Sequence, residues 1–137
     1  MLEGLEFHHV GVACRDLDVE ENVFLGFGYR REAPDFVDPV QGVTGRFLVG
    51  GGPRLELLAP AADGGVLTPW LDRGTKLYHL AYLSRSIGPD LERLKAARGR
   101  VMVGPVPAIA FGGRAIAFVL LPNMLLVELI ASGGESS

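Results

Sequence analysis

Two glutamates of this chain occupy places where carboxylates are costly. Glu56 stands between Leu55 and Leu57, and Glu128 between Val127 and Leu129, each inside an apolar run. Burying an uncompensated carboxylate costs on the order of several kcal/mol, so each needs a partner. Two histidines open apolar runs of their own: His9 precedes Val10-Gly11-Val12, and His79 precedes Leu80-Ala81-Tyr82. Two imidazoles and two carboxylates suit a divalent ion (Co, Ni, Mn, Zn or Fe) in five or six coordination. Such a set leaves one or two positions open, which favours catalysis over a closed structural site. His9, Glu56, His79 and Glu128 are therefore the candidate metal ligands.

The four are related by an internal repeat. His9-Val-Gly-Val-Ala-Cys-Arg-Asp-Leu17 resembles His79-Leu-Ala-Tyr-Leu-Ser-Arg-Ser-Ile87, and Leu55-Glu56-Leu57-Leu58-Ala59 resembles Val127-Glu128-Leu129-Ile130-Ala131. Histidine and glutamate lie 47 residues apart in the first half and 49 in the second. Phe47 precedes Glu56 by nine residues, and Phe118 precedes Glu128 by ten. Period-matched landmarks of this kind mark a repeated structural unit.

The elements that must position these residues follow from hydrophobic period and breakers. Phe7 to Ala13 reads as a strand, and Asp16 caps a helix over Leu17 to Leu25 that Gly26 and Gly28 close. Arg30 to Val37 and Val43 to Val49 read as strands, and Gly50-Gly51-Gly52-Pro53 turns into a strand over Arg54 to Ala59. A helical turn over Leu67 to Asp72 breaks the following link. The second half repeats the order: a strand over Leu77 to Leu83, a helix from Ser86 or Pro89 to Arg98, and a short strand over Arg100 to Val103. Gly104 to Gly113 reads as a loop, followed by a hairpin of Ala115 to Leu121 and Leu125 to Ile130 through Pro122-Asn123. Leu91, Leu94 and Ala97 give the second helix its buried stripe.

The expected fold class is α+β: two βαβββ modules pairing into a curved eight-stranded mixed sheet. Module one covers about residues 5–60, a link 61–75, module two about 76–131, and residues 132–137 form a disordered tail of the single domain 1–137. Strand alternation puts His9 with small Gly11 on one face and His8 with Val10 and Val12 on the other. His79 has Ala81 in the matching place, and small neighbours leave room for a ligand. Cys14, Trp70, Tyr78 and Tyr82 read as core, and Gly50 to Gly52 as a turn, because no Gly-Lys-Ser/Thr follows.

Composition narrows the function. Of the 137 residues 48% are hydrophobic, which excludes a disordered chain, and the net charge of -3, with the 13 basic residues scattered, excludes a nucleic-acid binder. One cysteine permits no intrachain disulfide. Glu3 and Glu6 interrupt any secretory signal, and no apolar run approaches the ~20 residues of a membrane span. A cytoplasmic protein without membrane or nucleic-acid partners is expected.

At these residues the chain resembles the vicinal-oxygen-chelate superfamily, which includes glyoxalase I, methylmalonyl-CoA epimerase, extradiol dioxygenases, fosfomycin-resistance enzymes and bleomycin-binding proteins. The resemblance runs from about Phe7 to Ile130. It is strongest toward the methylmalonyl-CoA epimerases, through His8-His9-Val-Gly-Val-Ala, Gln41-Gly42-Val43, Arg54-Leu-Glu-Leu-Leu-Ala-Pro60, Tyr78-His79-Leu-Ala-Tyr82 and Ala115-Ile-Ala-Phe118. The resemblance places the family's ligands on His9, Glu56, His79 and Glu128, with Glu56 where some relatives have glutamine. It implies a substrate with vicinal oxygens, such as an acyl-CoA or α-keto compound, and a homodimer. The epimerases carry a second proton-transferring glutamate before Gln-Gly-Val, where this chain has Val40; their His-Pro ahead of the last hairpin is Leu121-Pro122 here.

The expected activity is that of a metal-dependent isomerase or lyase, with epimerase-like proton transfer next to a metal-bound carbonyl. Glu128 would serve as both ligand and catalytic base. Arg46 or Arg114 would orient an anionic substrate group, and Asp35 or Asp38 would stand in for the missing acid. The alternatives are a glyoxalase I-type lyase, for which glutathione-holding segments are not evident, and a non-catalytic, resistance-type small-molecule-binding protein. An iron dioxygenase ranks lower, because Glu56 would crowd the positions that oxygen and substrate share.

Overall fold

The computed structural model describes residues 2, 4–61 and 65–132. The chain divides into two compact units, His9–Tyr78 and Met1–His8 with His79–Ser137. The division falls within strand β1 (Glu6–Ala13) and within β6 (Leu77–Ser84).

In the first unit, Asp16 caps α1 (Leu17–Leu25) by accepting a hydrogen bond from Val19 N at 3.0 Å, as its type and position predict. Gly28 follows with φ +90, a value costly for any residue with a Cβ. The expected strand from Arg30 to Val37 is broken into β2 (Arg30–Arg31) and β3 (Phe36–Asp38). Pro34 lies in the gap, where it has no N–H to give a ladder. Both pieces pair with β4 (Val43–Val49), which pairs antiparallel with β5 (Leu55–Pro60), and β5 runs parallel to β1. The break makes nine strands among the described residues, where eight were expected. A short α2 (Thr68–Asp72) lies in the link.

The second unit repeats the plan. After β6 come α3 (Ile87–Ala96), β7 (Arg100–Pro107), β8 (Ala115–Leu120) and β9 (Leu126–Ala131). Strands β7 and β8 pair antiparallel, as do β8 and β9, and β9 runs parallel to β6. Strand β7 continues four residues past its expected end at Val103. Register shifts around Val103 absorb Gly104 and Pro105, the residues that read as breakers. Helix α3 stops at Ala96, so Ala97 is exposed rather than buried, and Ile87 joins Leu91 and Leu94 on the inner stripe. Ser132, expected in the tail, donates its backbone N–H to Ser84 O at 2.9 Å; residues 133–137 lie outside the described residues. Mixed strand pairing with few helices confirms the α+β, glyoxalase-like fold class.

Each unit buries its own core on the helix side. Val12, Leu48, Leu55, Leu57 and Ala59 pack with Leu17 and Phe24 of α1. Ile87 and Leu91 of α3 pack with Ala117, Val119, Val127 and Leu129, and Leu2 and Leu5 from the start of the chain join this second core. Because side chains alternate, Glu56 and Glu128 are left on the opposite faces of their strands. Cys14 is buried, and its thiol donates to Leu58 O at 3.5 Å; burial pushes its pKa up to about 11, so the thiol stays neutral. Among the described residues no helix is long and apolar enough to cross a membrane.

Candidate metal-binding residues

Register explains why histidine and glutamate meet within each half. In the first, Gly11 of β1 stands directly opposite Glu56 of β5, and Phe47 of β4 opposite Glu56 on its other side. Gly11 has no side chain, so the His9 imidazole two residues away can lean across to the carboxylate. His9 Nε2 lies 3.0 Å from Glu56 Oε1. The Phe47 ring meets the imidazole edge-to-face, with centroids 5.5 Å apart.

The second half repeats the histidine, glutamate and phenylalanine contacts. Ala81 of β6 and Phe118 of β8 flank Glu128 of β9. His79 Nε2 lies 3.1 Å from Glu128 Oε1, and the Phe118 ring meets the imidazole edge-to-face at 5.1 Å. All four polar residues are buried. The phenylalanines served in the sequence only as landmarks of the repeat; the structure gives them the job of fixing ring orientation.

The separation of each pair fits a cation. Two donors about 2.1 Å from one ion and at right angles to each other lie roughly 3.0 Å apart. A shared proton would sit at the same distance, so the donor chemistry has to decide. Two imidazole nitrogens and two carboxylate oxygens form a set able to hold a divalent ion.

The other nominated residues are placed elsewhere. Arg46 neighbours Phe47 on β4 and so faces the helix side, opposite Leu57. It is buried, with Nε and Nη2 donating to Asp35 at 2.8 and 2.7 Å and Nη1 to Glu21 at 2.8 Å. Asp18 Oδ1 also lies 2.9 Å from Nη1, and a guanidinium saturated by three carboxylates on that side is a structural cation, which corrects its nomination as a substrate contact. Arg114 is exposed in the turn before β8. Asp35 is committed to Arg46. Asp38 is buried, with its carboxylate accepting from the backbone N–H of Val40 and of Gln41 at 3.0 and 3.2 Å. Asp35 is thereby withdrawn from the role of stand-in acid, while Asp38 is held by backbone N–H groups.

The network around Arg46 has a measurable signature. The Arg31 guanidinium holds the Glu21 carboxyl below its ordinary 4.5, helped by Arg46, and Arg46 holds Asp35 below its ordinary 3.8. Carboxylates with depressed folded pKa values stabilise the fold above those ordinary values and lose that contribution as pH falls through the folded ones. Arg46→Ala should therefore cost about 2–3 kcal/mol at neutral pH, since it strips Asp35 of its guanidinium and leaves Glu21 with Arg31 alone. It should also flatten the acid side of a stability-versus-pH curve measured by urea unfolding. An unchanged acid limb would remove Arg46 from this role.

Comparison with known proteins agrees with the duplicated geometry. A family model described as the Glyoxalase/Bleomycin resistance protein/Dioxygenase superfamily matches residues 8–118. The chain belongs to this superfamily. A curated superfamily relative, the ethylmalonyl-CoA/methylmalonyl-CoA epimerase of Cereibacter sphaeroides, is 30% identical over 128 residues, covering 89% of this chain and 94% of the relative. A Streptomyces coelicolor methylmalonyl-CoA epimerase in complex with 2-nitronate-propionyl-CoA superposes with a TM-score of 0.78 at 26% identity, covering 94% of this chain and 98% of that one. Methylmalonyl-CoA epimerase from Mycobacterium tuberculosis gives 0.76 at 25% identity, covering 93% and 88%. These similarities bear out the resemblance toward the epimerase branch of the superfamily.

Proposed function

We propose that this chain is a metal-dependent isomerase that moves the proton on the carbon beside the carbonyl of an acyl-CoA thioester. One observation carries the proposal: the His–Glu contact that occurs twice, at 3.0 and 3.1 Å, at equivalent positions of a repeat. In this reading His9, Glu56, His79 and Glu128 hold one divalent ion, one pair from each half. A bound ion of this kind supplies Lewis acidity toward a carbonyl oxygen and so acidifies the neighbouring C–H. The substrate class comes from the relatives, which are named for methylmalonyl-CoA and ethylmalonyl-CoA.

Glu128 removes the proton, and delivery of a solvent proton to the opposite face of the carbon would complete the isomerisation. Glu128 lies at the end of the His79 contact, and Phe118 holds that imidazole from the side, so the carboxylate keeps a fixed direction. With Asp35 and Asp38 engaged elsewhere and Val40 at the position of the relatives' second acid, Glu128 is the one proton-transferring group this proposal assigns. Proton exchange is therefore its primary readout, ahead of inversion at carbon. A homodimer belongs to the same reading.

The test begins with elemental analysis of protein purified without chelator or affinity nickel. About one divalent ion per chain is expected, as is deuterium uptake at the α-carbon of methylmalonyl-CoA in heavy water. Failure to take up Co, Ni, Mn or Zn would sink the metal assignment. Turnover of methylglyoxal with glutathione, and not of the thioester, would move the chain to the glyoxalase I-type lyases.

A further inference from the structure

We propose that the cavity beside the start of α3 binds a phosphate-type anion. The cavity has a volume of about 440 Å3 and is lined by Gly4, Arg85, Ser86, Pro89, Asp90 and Arg93, all within the second unit. Neither the metal-ligand set nor the proton transfer uses any of these residues.

The lining carries two guanidinium groups. Arg85 is exposed, and among the described residues it has no hydrogen-bonded or ion-paired partner. Arg93 spends one nitrogen, donating Nη1 to Asp90 Oδ1 at 3.0 Å. An arginine has five N–H donors, so most of the hydrogen-bonding capacity of the pair remains for a ligand. The one carboxylate in the lining is compensated: Asp90 is buried, and its second oxygen accepts from the Ser84 hydroxyl at 2.5 Å. This anchoring holds Arg93 at the cavity wall and leaves the lining with a net charge of one positive unit.

Ser86 adds a hydroxyl. It occupies the cap position of α3 but makes no side-chain capping bond. Forked guanidinium donors favour planar or tetrahedral oxyanions, and two of them around one cavity suit a phosphate group better than a single carboxylate. The phosphate could be free, or it could belong to a nucleotide-bearing ligand such as the thioester proposed above. Only the second source rests on that proposal.

The full chain, without metal or substrate, is titrated with inorganic phosphate and separately with adenosine 3',5'-bisphosphate, following the amide signals of Ile87 and Gly88 by NMR. Saturable shifts are expected, and Arg85→Gln should weaken binding about tenfold, the loss of one charge-assisted contact. Tighter binding of the bisphosphate identifies a nucleotide-bearing ligand, and equal binding identifies free phosphate; both uphold the site. No saturable shift with either probe, or an unchanged affinity in Arg85→Gln, overturns it. The readout needs no turnover, so its failure leaves the isomerase proposal standing, and the reverse also holds.

Discussion

Glu128→Gln should lower α-proton exchange by roughly a hundred- to ten-thousand-fold, the range typical of losing a positioned base. Glutamine keeps the shape of glutamate and an oxygen that can reach a metal, so the ion should remain at least partly bound. Glu56→Gln is the matched control. Glu56 has the same geometry against His9 that Glu128 has against His79, yet by the resemblance some relatives have glutamine at its position. Its replacement should change exchange only a few-fold. Rates and metal content measured on both variants separate ligand from base. If Glu56→Gln were inactive and Glu128→Gln active, the roles would be reversed; equal loss in both would leave no base assigned to either.

His9→Ala and His79→Ala should each weaken metal binding by more than about a hundredfold, beyond what loss of an outer-shell partner alone costs. The wild-type chain should gain about 2.7 kcal/mol at a hundredfold excess of ion over Kd. For a domain of this length that is roughly 10 °C in Tm. Both variants should show little or no such gain in a thermal-shift measurement with added Co or Ni. The two losses should also be similar, because each imidazole makes the same contact with a glutamate and a phenylalanine. A loss confined to one histidine would mean that the two pairs do not share an ion.

The four candidate ligands were legible because the chain states them twice. A glutamate inside an apolar strand is ambiguous alone; a second one at the same offset from a histidine and a phenylalanine is not. Helix α1 was legible to the residue because Asp16 and the closing glycines agree on its two ends. Strand β7 was not, since Gly104 and Pro105 obey the breaker rule locally while the ladder with β8 overrides it through shifted register. Arg46 was misjudged for a different reason. Its position next to Phe47 already placed it on the opposite face of β4 from the ligands. Its partners, Glu21 and Asp35 among them, lie 25 and 11 residues away and carry no local signal. Arg85 and Arg93 were invisible as a pair, because only the packing of α3 gives them a common cavity.

Leu2 and Leu5 pack into the core built from α3, β8 and β9. Leu2 and Leu5 therefore find their partners among residues that leave the ribosome much later. During synthesis the Leu2–Leu5 segment must wait, exposed, until β9 has emerged, whereas the strands of the first unit can pair as soon as Pro60 is out. Contacts of such long sequence separation are slow to form. A nascent chain stalled before β9 should present a protected first unit and a protease-sensitive segment around Leu2 and Leu5.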